Sequence, residues 1–136
     1  MRRFGIMLLV LLAGTFTALA QNGESSSEKE AKAEITFSKK THDFGKIAYK
    51  GDGTYKFEFE NTGKKHLILT SVNSSCSCTV PDWPRKPFKP GEKGEIEVVY
   101  DTRTPGKFTK YVYVHSNAKD NTIKLKITGV VKHKND

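Results

Sequence analysis

An all-β, two-sheet antiparallel sandwich is the fold this sequence predicts, and three observations predict it. Short segments alternate apolar and polar residues with a period of two, as in "TYKFEFEN" and "TIKLKITGVV". Gly- and Pro-rich turns such as "KGDG", "NTGKK" and "PFKPGEKG" separate those segments at regular intervals. No window carries the 3.6-residue apolar period of an amphipathic helix.

The segments follow one another in order. "ITFSK" is a short opening strand, and "HDFGKIAYKGDG" turns at Gly45 and again at Gly51-Asp52-Gly53. In "TYKFEFEN", Tyr55, Phe57 and Phe59 share one face, with Lys56, Glu58 and Glu60 on the other. "HLILTSV" is the next strand and runs into the cysteine-bearing stretch "SSCSCTVPDWP". In "EIEVVYD", Ile96, Val98 and Tyr100 point inward. In "TIKLKITGVV", Ile123, Leu125 and Ile127 oppose Lys124 and Lys126. With "KFTKYVYVHS" between them, this makes about seven strands in the manner of an immunoglobulin-like sandwich. The Cys…Trp…Cys core of antibody domains is absent.

The ends read differently. Arg2 and Arg3, an apolar run from Phe4 to Ala13 and the small-residue site Ala18-Leu19-Ala20 form the pattern of a signal peptide over residues 1–20. That run is shorter than the ~20 residues of a membrane span. Residue 21 is Gln rather than Cys, so no lipid anchor is expected there and no stable membrane anchor elsewhere. Residues 21–33 carry no large apolar side chain and read as a flexible linker. The sandwich is expected over 34–132, with a tail at 133–136.

Cleavage after Ala20 leaves 116 residues, one domain by size, with 21 basic and 15 acidic side chains. The net charge of +6 suits anionic envelope surfaces such as lipopolysaccharide, phospholipid or acidic glycan, while export to a periplasmic or extracellular location argues against nucleic acid. The bland reading is that scattered lysines keep the outer faces solvated.

Cys76 and Cys78, the only cysteines, lie one residue apart. Side chains at i and i+2 of a strand share a face but sit too far apart to bond, so a disulfide requires a bend at Ser77. A three-residue ring stabilises by only about 1.6 kcal/mol before strain. An exposed ring of this kind would be easily reduced. Reduced, the pair suits a soft ion such as Cu(I) better than a closed zinc site, with His42 the first candidate third ligand, then His66 and, less readily, His115. Structural packing, metal and redox roles all remain open on the residues alone.

His42-Asp43-Phe44-Gly45 invites acid–base chemistry, but no G-x-S-x-G or comparable nucleophile motif accompanies it. The alternative is structural: Phe44 in the core, Gly45 in a turn, His42 and Asp43 bonded nearby. Trp83, in a loop stiffened by Pro81, Pro84, Pro87 and Pro90, is either a recognition anchor or a lid on the sandwich.

"HDFG", "FEFENTG", "SCSCTVPDWP", "KPGEKGEIEVVYD", "PGKFTKYVYVHSN" and "IKLKITGVV" together resemble a secreted bacterial domain-of-unknown-function family, number fifteen seventy-three, over about residues 35–131. It is related to hydin-like and sperm-protein-like immunoglobulin sandwiches. The resemblance implies an immunoglobulin-like fold and export, and no activity. The middle residue of the cysteine pair is often Gly in that family, so Ser77 raises the cost of a sharp bend. The expectation is an exported, non-enzymatic interaction module of the cell envelope. Its edge strands and Trp83 would contact a protein or envelope component, with a copper or thiol-redox site at the Cys-x-Cys pair as the alternative.

Overall fold

The computed structural model describes residues 31–136. The signal peptide and most of the linker expected from sequence lie outside the described residues. Eight strands form: β1 (Ile35–Phe37), β2 (Thr41–Ile47), β3 (Thr54–Asn61), β4 (Leu69–Ser74), β5 (Thr79–Asp82), β6 (Lys93–Tyr100), β7 (Gly106–Ser116) and β8 (Thr122–Val131).

The first sheet runs β1-β3-β6-β5 and the second β2-β8-β7-β4. Each face that the period-two pattern marks as apolar turns inward. Phe57, Phe59, Ile96 and Val98 of the first sheet meet Val112, Val114, Leu125 and Ile127 of the second, all at most 2% exposed. Each such side chain contributes about 1.5–3 kcal/mol by leaving water. Tyr100 and Phe108 stack across the two sheets with ring centroids 3.8 Å apart.

One strand departs from the antiparallel expectation. β2 pairs with β8 in parallel, with His42 opposite Ile127 and Ile47 opposite Val131. The chain crosses from the first sheet to the edge of the second after β1, so β2 enters in the same direction as β8. Gly45 is therefore not the end of a strand but a bulge within one. Its φ of +65° shifts the register between Asp43 and Lys46, and Asp43 Oδ1 accepts the Gly45 N–H at 2.8 Å.

The packed domain also begins earlier than composition suggests. Ala33 is 2% exposed, and the carbonyls of Lys32 and Ala33 accept hydrogen bonds from Lys64 and Lys119. A methyl-sized side chain loses no rotamer entropy on burial, so this docking leaves almost no trace in hydrophobicity.

Charge divides between the sheets. The strands of the first carry Glu58, Glu60, Asp82, Glu95 and Glu97 against Lys56 and Lys93. Those of the second carry Asp43 alone against Lys46, Lys107, Lys110, Lys124 and Lys126.

Candidate functional site

The cysteine stretch carries the chain from the second sheet to the first. At the end of β4, Ser75 is held to β7 twice: its N–H donates to the Tyr111 carbonyl at 2.8 Å, and its Oγ accepts the Tyr111 N–H at 3.0 Å. A turn follows, closed by Thr79 N–H donating to the Cys76 carbonyl at 3.3 Å. The hydroxyl of Ser74 donates to that same carbonyl at 2.5 Å. On the far side, Asp101 N–H donates to the Cys78 carbonyl at 2.8 Å and fixes the stretch to the first sheet.

This turn brings the Cα atoms of Cys76 and Cys78 to 5.3 Å, and the two sulfurs are joined in a disulfide. The Cys78 N–H points at Cys76 Sγ, 3.0 Å away. Ser77 makes the bend without left-handed backbone, since Lys50 is the only non-glycine residue with positive φ among those described. The penalty expected for Ser in place of Gly is therefore not incurred.

His42 is elsewhere. It pairs with Ile127, Ile127 pairs with Lys110, and Tyr111 is the residue that holds Ser75. Three strand spacings, roughly 14 Å, separate the backbone of β2 from that of β4, which leads into the disulfide. Its ring stacks on Tyr55 at 3.6 Å and meets the edge of Phe44 at 4.5 Å. Burial lowers its pKa, opposed by the nearby Asp43 carboxylate. His66 sits beyond the opposite end of β4, and His115, paired with Ser71, faces Thr122 with Nδ1 3.0 Å from the hydroxyl. Among the described residues no group of three or more His, Cys, Asp or Glu side chains is arranged to hold a metal ion.

Trp83 is half-buried and packs on the core, with the Arg85 guanidinium 3.4 Å above its ring. The residues before it, Thr79–Asp82, are not loop but edge strand β5. Pro81 is tolerated there because an edge strand has one side without ladder bonds.

β5 creates a surface that the sequence reading did not single out. Val80 and Val99 are directly paired across β5 and β6 on the outer face, 61% and 40% exposed. The adjacent valines Val98-Val99 were the available signal, because one of two neighbouring strand residues must face outward. Beside them lies a shallow groove of about 540 Å³ lined by Thr54, Cys78, Val80, Val99, Asp101 and Arg103. Its rim is an ion pair: Arg103 Nε donates to Asp101 Oδ1 at 2.9 Å and Nη2 to Oδ2 at 2.6 Å. Those hydrogen bonds hold the Asp101 carboxyl at a pKa of about 2. The site thus joins an apolar patch, an internally neutralised rim and a disulfide. It offers contact area beside a disulfide bond.

A family model described as "Protein of unknown function (DUF1573)" matches residues 35–131. No curated protein matches significantly. Among solved structures, a protein of unknown function from Porphyromonas gingivalis W83 superposes with a TM-score of 0.66 at 16% identity, covering 74% of this chain and 47% of that one. This chain thus spans about half the length of that relative. The ASH/PapD-like domain 7 of human CEP192 gives 0.61 at 10% identity, covering 74% and 86%. A chaperone–tip adhesion subunit pre-assembly complex of Csu pili from Acinetobacter baumannii gives 0.52 at 16%, covering 75% and 58%. At these identities the likeness is one of fold: an immunoglobulin-like, PapD-like sandwich.

Proposed function

The chain belongs to this DUF1573 family of unknown function, and we propose that it is an exported, non-enzymatic interaction module whose contact surface is the Val80–Val99 patch and its groove. The paired exposure of Val80 and Val99 carries the reading, because two adjacent valines held in water on a rigid sheet lower their free energy when a partner covers them. The likeness to PapD-like and chaperone folds supports it as analogy. The partner is a protein segment lying across the face of β5 and β6. Extension of the sheet at β5 is disfavoured by its four-residue length and by Pro81.

The test is affinity capture from the native envelope with the mature chain and with a Val80→Ser/Val99→Thr variant, whose exposed sites leave the core intact. The wild type retains a partner that the variant loses. Capture of the same proteins by both chains, or of none by the wild type, overturns the proposal.

A second reading rests on the disulfide at the groove wall. An envelope dithiol reduces the Cys76–Cys78 bond to two thiols and is itself oxidised to a disulfide, and the reduced pair then offers two sulfurs to a soft ion such as Cu(I). Mass spectrometry of protein purified without reductant or chelator reads the difference of two hydrogens directly. Cu(I) titration of the reduced chain against Cys76→Ser/Cys78→Ser reads the metal, and equal binding by both excludes the site.

A further inference from the structure

The outer face of the second sheet is a separate surface, built by alternation. On β7, Val112 and Val114 point into the core, so Tyr111, Tyr113 and His115 point out. On β8, Leu125 and Ile127 point in, so Lys124 and Lys126 point out. The register sets Tyr113 opposite Lys124 and Tyr111 opposite Lys126, with Asn73 of β4 flanking Tyr113. The two tyrosines stand on one strand two residues apart, roughly 7 Å. Lys124 already lies over Tyr111, its Nζ 4.8 Å from the ring centroid, whereas no cation among the described residues lies over Tyr113. The one carboxylate on the strands of this sheet, Asp43, is turned back onto the Gly45 amide.

We propose that this face is a binding platform for an anionic polysaccharide of the cell exterior. With Lys124 over Tyr111, the Tyr113 ring is the phenol left to attract the C–H face of a sugar ring, and the hydroxyls of both tyrosines can hydrogen-bond to sugar hydroxyls. Lys124 and Lys126 stand beside that row at the positions where carboxylate or sulfate groups of the chain would lie. Charge complementarity selects the occupant. The same surface on the first sheet is carboxylate-rich and repels such a chain. A membrane is disfavoured because Val130, toward the end of β8, is the one strongly exposed aliphatic side chain on the strands of this face, too little to enter the acyl region.

The experiment is affinity measurement of the mature chain with polygalacturonate, with uncharged dextran and with vesicles of phosphatidylglycerol in phosphatidylcholine. Polygalacturonate is expected to bind with an affinity that falls as salt rises, and dextran not to bind. Lys124→Gln/Lys126→Gln and Tyr113→Ser should each weaken binding at least ten-fold, and Tyr113→Phe should retain most of it. Lys56→Gln/Lys93→Gln makes the same charge change on the first sheet and should leave affinity within two-fold. If Tyr113→Ser fails to fold by circular dichroism, the two lysine pairs decide. Equal loss from both pairs overturns the proposal as nonspecific charge attraction. Vesicle binding as tight as polygalacturonate binding and indifferent to the Tyr113 substitutions overturns it in favour of lipid, and absence of polygalacturonate binding overturns it outright.

Discussion

The side-chain amide of Asn61 donates to the carbonyl of Phe88 at 3.0 Å, tying the end of β3 to the loop before β6. The same amide donates to the Lys65 carbonyl at 2.7 Å, and its oxygen accepts the Gly63 N–H at 3.0 Å. Asn61 is fully buried with its donors and acceptor satisfied, so its loss strands several backbone groups at once. Asn61→Ala should cost about 2–3 kcal/mol, and Asn61→Asp a comparable amount, because a carboxylate has no N–H for the two carbonyls. Urea unfolding should show a lower midpoint with an unchanged slope.

Gly63 serves the same corner by having no side chain. A Cβ there would collide with the backbone of Glu34 and Lys32, where the N-terminal segment docks. Gly63→Ala should release that segment before it unfolds the sandwich. Hydrogen exchange should find the Lys64 and Lys119 amides, which donate to Lys32 and Ala33, losing protection while the amides of β7 and β8 keep theirs.

These two residues also show what was legible beforehand. The alternation of β3, β6 and β8 is local, and each inward residue it marked is inward. "NTG" reads as a turn, but the partners of Asn61 are up to 27 residues away, and no local pattern encodes them. The parallel entry of β2 is illegible for the same reason, since strand direction is set by where the chain re-enters and not by composition. The residues around Ser77 show that a Cys76–Cys78 bond requires a bend there, but the turn closed by Thr79, which supplies it, is visible only in the fold. The Val80–Val99 patch was hidden because "TVPDWP" reads as proline loop until its pairing with β6 is known.

Reduction of the disulfide should leave the fold standing. The ring spans three residues and contributes about 1.6 kcal/mol at most. Ser75 and Cys78 keep their backbone bonds to Tyr111 and Asp101 without it. Cys76→Ser/Cys78→Ser should lower Tm by no more than about 10 °C and leave the far-ultraviolet spectrum unchanged; a loss of cooperative unfolding would contradict this.

His42 should make stability depend on pH. Its pKa in the fold lies below the ordinary 6.5, because stacking on Tyr55 removes water from the ring. The unfolded chain therefore binds the proton first as pH falls, so the contribution of neutral His42 is complete above about pH 6.5 and is lost as pH drops through the folded value. Asp43 opposes the shift and Lys39 adds to it. Comparing thermal melts at pH 7.5 and 5.5, wild type should lose more stability than His42→Gln; an identical loss would show that other groups set the dependence.

The unequal charge of the two sheets has a consequence for orientation. Carboxylates on the strands of one sheet and lysines on those of the other, Lys46, Lys107, Lys124 and Lys126 on its outer face, give the two sheets a dipole directed across the sandwich. A negatively charged wall exerts a torque on such a body as well as a pull. Against such a wall the domain would turn β7 and β8 inward and leave the Val80–Val99 face open.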